Sequence, residues 1–120
     1  MRLGIVDDSS IMRKTIEKYL NGYDINVVGT ASNGIEAIKL VQNYYPDILT
    51  LDITMPEMDG LTSLEEIMKI APETKVIVIT ALSDKLTGLK ALDKGASGYL
   101  FKPVNSENLK KAFDKLILSK

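Results

Sequence analysis

The sequence contains no histidine and no cysteine. Their absence removes the common zinc sites, every Ser-His or Cys-His nucleophile pair, and any disulfide framework. A metal ion bound here has oxygen ligands, which favours Mg²⁺, Mn²⁺ or Ca²⁺. A nucleophile has to be a carboxylate, a hydroxyl or a lysine. An excess of charge is lacking too: the net charge is −1, so no broad basic surface for nucleic acid is expected. Long apolar runs are also missing. The first run, "LGIV", is closed at once by Asp7 and Asp8, too early for a signal sequence or a membrane span. The expectation is a cytoplasmic protein with no membrane contact.

What is present suits one domain over residues 1–120, with 45% hydrophobic residues for a core and 26% charged residues for a surface. Five apolar runs stand out: Leu3–Val6, Ile25–Ala31, Asp47–Leu51, Val76–Thr80 and Gly98–Phe101. Four are short and continuous, as strands buried on both faces of a parallel sheet are; the second alternates in part, as an edge strand does. Between the runs lie segments of helical period. Ile11, Met12, Ile16, Tyr19 and Leu20 share a face, as do Ala37, Ile38, Val41 and Tyr44. Leu61, Leu64, Ile67 and Met68 make a third stripe. Leu86, Leu89 and Leu92 form a weaker fourth, and Leu109, Ala112, Phe113 and Leu116 a fifth. Turn signals separate them at Asn21-Gly22, Asn33-Gly34, Pro46, Asp59-Gly60, Pro72 and Gly95. The pattern is strand then helix, five times over, which predicts an α/β fold: a doubly wound parallel sheet in a three-layer sandwich.

Ligands of such sheets bind beyond the carboxyl ends of the strands. The residues at those ends are Asp7 and Asp8, Asp52, Thr80, and Lys102 followed by Pro103. If the first and third strands are neighbours, three carboxylates, a hydroxyl and an ammonium converge on one edge. Crowded like charges need a cation, and a divalent ion with oxygen ligands resolves the conflict. A carboxylate beside such an ion can attack phosphorus, and Asp52, at the centre of the edge, is the best candidate. Asp8 and Ser9 also suit a helix cap. Asp59-Gly60, Asn33-Gly34 and Glu57 read as turn and loop residues. Met12, Met55, Met58 and Met68 read as packing or surface.

The segments "IVDDS", "LDITMPEMDG", "VIVITA" and "GASGYLFKP", in this order and at strand ends, resemble the response regulator receiver domain family, most closely its single-domain chemotaxis type. The resemblance spans the chain. It implies a flavodoxin-like five-stranded sheet of order 2-1-3-4-5. It implies Asp52 as phosphoacceptor, with Mg²⁺ (Mn²⁺ as a substitute) held by Asp8, Asp52 and the Thr54 backbone carbonyl, and by Asp7 mostly through water. Thr80 resembles the switch hydroxyl, Lys102 the lysine on the phosphoryl group, and Tyr99 the aromatic that changes rotamer. Ala81 is small and leaves access to the site, and the peptide before Pro103 is cis in the family. Val104 and Leu82 depart from the pattern of many members. The implied partners are a histidine kinase as phosphodonor, the flagellar motor switch as target, and a phosphatase, with the protein monomeric. An excised receiver from a larger regulator is the near alternative. A haloacid-dehalogenase-like aspartyl-phosphate phosphatase is the distant one, but it wants Asp where Thr54 stands. A flavodoxin-like FMN protein would have to place phosphate against Asp7 and Asp8.

Overall fold

The computed structural model describes residues 1–54, 60–81 and 85–118. Strands and helices alternate: β1 (Arg2–Val6), α1 (Ser10–Tyr19), β2 (Asn26–Ala31), α2 (Gly34–Tyr44), β3 (Ile48–Asp52), α3 (Gly60–Ile70), β4 (Lys75–Thr80), α4 (Lys85–Asp93), β5 (Gly98–Phe101) and α5 (Ser106–Leu118). The strands form one parallel sheet in the order β2-β1-β3-β4-β5. Among the described residues no helix is long and apolar enough to cross a membrane.

Alternation along the strands divides the core in two. Leu3, Ile5, Ile48, Ile77 and Ile79 face Ile16 of α1 and Leu109 and Phe113 of α5. Val6, Leu49, Leu51, Val76 and Val78 face Ala37, Val41, Leu64, Ile67 and Ala91 of α2, α3 and α4. Both faces of the central strands are therefore covered, which is why their sequences are continuous rather than alternating. Side chains stop three of the helices at their amino ends: the Ser9 hydroxyl accepts from Met12 N–H, Asn33 Oδ1 from Glu36 N–H, and Asn105 Oδ1 from Asn108 N–H. Asn33 is thus a cap and not only a loop residue.

Three of the apolar stripes differ from expectation. Tyr44, the last of the α2 stripe, is 46% exposed. Ile11 is 76% exposed, because α1 rests on Ile16 and Leu20. Leu86, Leu89 and Leu92 of α4 are 63%, 50% and 38% exposed, and the helix buries Gly88 and Ala91 instead. The reason lies in β5. A Cβ at Gly88 would stand 2.8 Å from Cδ2 of Tyr99, so the helix backbone rests on that ring and only small residues fit between them. Met55, Glu57, Met58, Asp59 and Leu82 lie outside the described residues.

Candidate functional site

Sheet order reverses between β1 and β3, and their carboxyl ends bring the acidic residues together. Asp7, Asp8 and Asp52 each offer one carboxylate oxygen, all within 4.8 Å of one another. Asp52 ends β3 and is fully buried, Asp7 follows β1 and is also buried, and Asp8 is exposed at the mouth. Burial raises the Asp7 pKa, the Ser9 N–H bond opposes this, and the charge of Asp52 adds to the rise.

The two buried carboxylates are held by different partners. Asp7 Oδ1 accepts from Ser9 N–H at 2.9 Å, and the Asp7 carbonyl accepts from the Arg13 guanidinium at 2.6 Å. Asp52 Oδ1 accepts from both the N–H and the hydroxyl of Thr54, at 2.9 and 2.6 Å. Asp52 Oδ2 accepts from Lys102 Nζ at 2.9 Å, and the same ammonium donates to the Thr54 hydroxyl at 3.0 Å. The backbone N–H of Lys102 donates to the Thr80 carbonyl at 2.8 Å, which ties the end of β5 to the end of β4, and the peptide to Pro103 is cis, as expected. Gly60 starts α3 against Ile53; a Cβ there would stand 2.4 Å from Ile53 Cα, so glycine lets α3 close over the residue that follows Asp52.

Buried polar atoms almost always have partners, so an orphan is informative. Among the described residues the orphaned side-chain atoms are Asp7 Oδ2, Thr50 Oγ1 and Thr80 Oγ1. Three close carboxylates with one oxygen left free fit a hard divalent cation such as Mg²⁺, which takes oxygen ligands and retains water. Thr80 ends β4 with Ala81 after it, and Phe101 is its partner in β5. Tyr99 pairs with Val78, two residues earlier on the same face, with its ring at 5.4 Å from that of Phe101 in an edge-on contact. Thr80 and Tyr99 are therefore diagonal neighbours rather than a direct pair.

The strand ends expected from the sequence thus meet at one edge. Asp8 is not the helix cap; that part falls to Ser9. Sequence reasoning missed Arg13, the Thr54 hydroxyl and Thr50. Only an arginine about one turn into α1 hinted at the first. Nothing in the sequence marked the other two.

Residues 3–114 match the response regulator receiver domain. The chain belongs to the response regulator receiver domain family. It is 42% identical over 115 residues to the chemotaxis protein CheY of Listeria monocytogenes, covering 96% of this chain and 97% of that protein. It is 44% identical over 113 residues to a protein-glutamate methylesterase/protein-glutamine glutaminase of Carboxydothermus hydrogenoformans, covering 92% of this receiver but 32% of the larger protein. Among solved structures, the CheX-CheY-BeF3-Mg²⁺ complex from Borrelia burgdorferi aligns with a TM-score of 0.92 at 34% identity, over 99% of this chain and 90% of that one. The receiver is CheY-like and a two-component signalling module, and receiver domains bind Mg²⁺ at an acidic pocket of the kind formed by Asp7, Asp8 and Asp52.

Proposed function

We propose that this receiver takes a phosphoryl group from a phosphohistidine of a histidine kinase onto Asp52, and then presents an altered face built by α4, β5 and α5 to a target. The observation that carries the reading is Asp52 itself: a buried carboxylate at the sheet's central edge, with Lys102 on one oxygen and Asp7 and Asp8 beside it. An Asp52 oxygen attacks phosphorus, the P–N bond to imidazole breaks, and its electron pair stays on the imidazole nitrogen, which takes a proton. Asp7, Asp8 and Asp52 would hold Mg²⁺, or Mn²⁺ in its place, which when bound neutralises phosphoryl charge. Lys102 supplies further positive charge, and Thr54 holds the turn that follows β3 against the acceptor. Water later hydrolyses the acyl phosphate, and the protein turns over no external substrate.

The Thr80 hydroxyl, buried and without a partner among the described residues, donates to a phosphoryl oxygen on Asp52. Its movement clears space for the Tyr99 ring to turn inward, away from Gly88. A hydrogen bond to a charged group, worth ~1.5–3 kcal/mol, shifts such an equilibrium by roughly ten- to a hundredfold. The affected face includes a cavity of about 700 Å³ lined by Leu92, Tyr99, Leu100, Lys111 and Lys115. Likeness to CheY proteins over nearly their whole length supports a diffusible chemotaxis signal with the flagellar motor switch as target and a phosphatase as a second partner. The methylesterase match favours a second reading, a receiver that serves a larger regulator.

The test is acetyl phosphate with Mg²⁺, followed by borohydride trapping and peptide mapping. The expected label is on Asp52 alone and is lost with EDTA. A label on Asp7 or Asp8, or uptake indifferent to EDTA, contradicts the assignment.

A further inference from the structure

Thr50 interrupts an aliphatic run in the middle of β3. It is fully buried and its hydroxyl has no hydrogen-bond partner. Valine has nearly the same shape and needs no partner, so a threonine here costs stability unless something meets its hydroxyl. Its place in the sheet says what that is. Thr50 pairs with Ile5 of β1 and with Ile77 of β4. Side chains alternate across the sheet, so Ile48, Thr50 and Asp52 share the face covered by α1 and α5, and Ile5 and Asp7 share it on β1. Thr50 therefore lies one layer beneath Asp52 and Asp7. Of the other orphans, Thr80 shares the opposite face with Val78. Thr50 Oγ1 and Asp7 Oδ2 are left as two orphaned groups in adjacent layers of the same face.

We propose that Thr50 is a positioning residue for the acidic cluster. Its hydroxyl donates to one buried water, and that water donates to Asp7 Oδ2. Alternate residues of a strand are roughly 6.5–7 Å apart along its axis, a layer spacing that one intervening water suits better than a direct bond. Among the described residues, the Asp7 carboxylate is otherwise tied through one oxygen, by Ser9 N–H. With the second oxygen tied from below, the carboxylate keeps the orientation that a divalent cation and its waters meet. Outer groups of this kind orient carboxylates that face a metal. The inference rests on the reading that Asp7, Asp8 and Asp52 hold that cation.

The experiment is calorimetric titration of Mg²⁺ into the wild-type protein, Thr50→Val and Thr50→Ser, together with the metal-free melting temperature of each. Thr50→Val should bind Mg²⁺ roughly tenfold more weakly, with at most the small metal-free fall in melting temperature that the loss of one water-mediated bond brings. Thr50→Ser, which keeps the hydroxyl, should bind as wild type does. Equal affinity of Thr50→Val and wild type overturns the role of Thr50 alone. So does a loss of affinity shared by Thr50→Ser, which marks packing because the hydroxyl is kept. A wild-type protein that takes up no Mg²⁺ overturns both this inference and the reading beneath it.

Discussion

The two ends of the sheet treat their polar groups differently. At the amino ends of the strands the groups are paired. Arg2 N–H donates to Asp47 Oδ2 at 2.8 Å, and Asp47 N–H returns a bond to the Arg2 carbonyl at 2.9 Å. The buried Thr74 hydroxyl donates to the Pro46 carbonyl at 2.8 Å, and Lys75 Nζ reaches the Leu116 carbonyl at 3.3 Å. At the carboxyl ends Asp7 Oδ2 and Thr80 Oγ1 are buried and orphaned, and three carboxylates crowd together. One end is finished as a structure. The other is left unfinished, and its unmet groups are the ones a cation and a phosphoryl group would meet. Stability and reactivity are thus separated along the strand axis.

The sharpest way to test that contrast is to remove charge from the unfinished end. Asp8→Ala should abolish phosphorylation at Asp52 and strongly weaken Mg²⁺ binding, yet leave the metal-free melting temperature unchanged or higher, because one of three crowded charges is gone. Acyl-phosphate yield, Mg²⁺ titration and thermal melting read the three effects. A clear fall in the metal-free melting temperature would mean that Asp8 is part of the scaffold.

A matched pair comes next in size. Thr74→Val and Thr80→Val make the same chemical change at opposite ends. Thr74→Val breaks a buried bond and strands the Pro46 carbonyl, and should destabilise the metal-free protein by about 1–2 kcal/mol in urea unfolding. Thr80→Val removes a hydroxyl that bonds nothing, and should be neutral or mildly stabilising. The order reverses for function: Thr74→Val should respond to phosphorylation as wild type does, whereas Thr80→Val should accept phosphate but gain less target affinity. Equal destabilisation by the two would erase the distinction between the ends.

The smallest effect concerns the paired scaffold. Burial, and the Asp114 carboxylate that accepts its proton at 2.6 Å, push the Tyr23 hydroxyl up to about 12. A phenol whose pKa is raised on folding adds stability that is complete below its ordinary value of 10.0 and is lost as pH rises toward about 12. Spectrophotometric titration should show one tyrosine ionising near the upper value, and Tyr23→Phe should remove it and flatten stability over that window. A Tyr23→Phe titration identical to wild type would mean that the pin between Tyr23 and α5 is not formed in solution.

Much of this could be read before the structure. The five runs became the five strands, each within a residue or so, because strands buried on both faces leave a continuous aliphatic signal. The site was legible because a parallel sheet fixes where strand ends go, so Asp7, Asp8, Asp52, Thr80 and Lys102 needed only the order of strands to meet. The leucines of α4 misled, since period marks a shared face without saying whether that face is inward. The packing of Tyr99 on Gly88, a contact between residues far apart in the sequence pattern, turned the small residues inward. Ile11 failed for the same reason. Arg13, the Thr54 hydroxyl and Thr50 escaped because their parts depend on which atoms have partners, and composition and spacing carry no record of that.

The central claim is that Asp52 is the reactive carboxylate of the unfinished end. Intact-mass spectrometry of the wild type and Asp52→Asn, each incubated with acetyl phosphate with and without Mg²⁺, tests it most directly. The account predicts one added phosphoryl group per chain on the wild type with Mg²⁺, none without it, and none on Asp52→Asn under either condition. A phosphoryl group on Asp52→Asn equal to that on the wild type would contradict it.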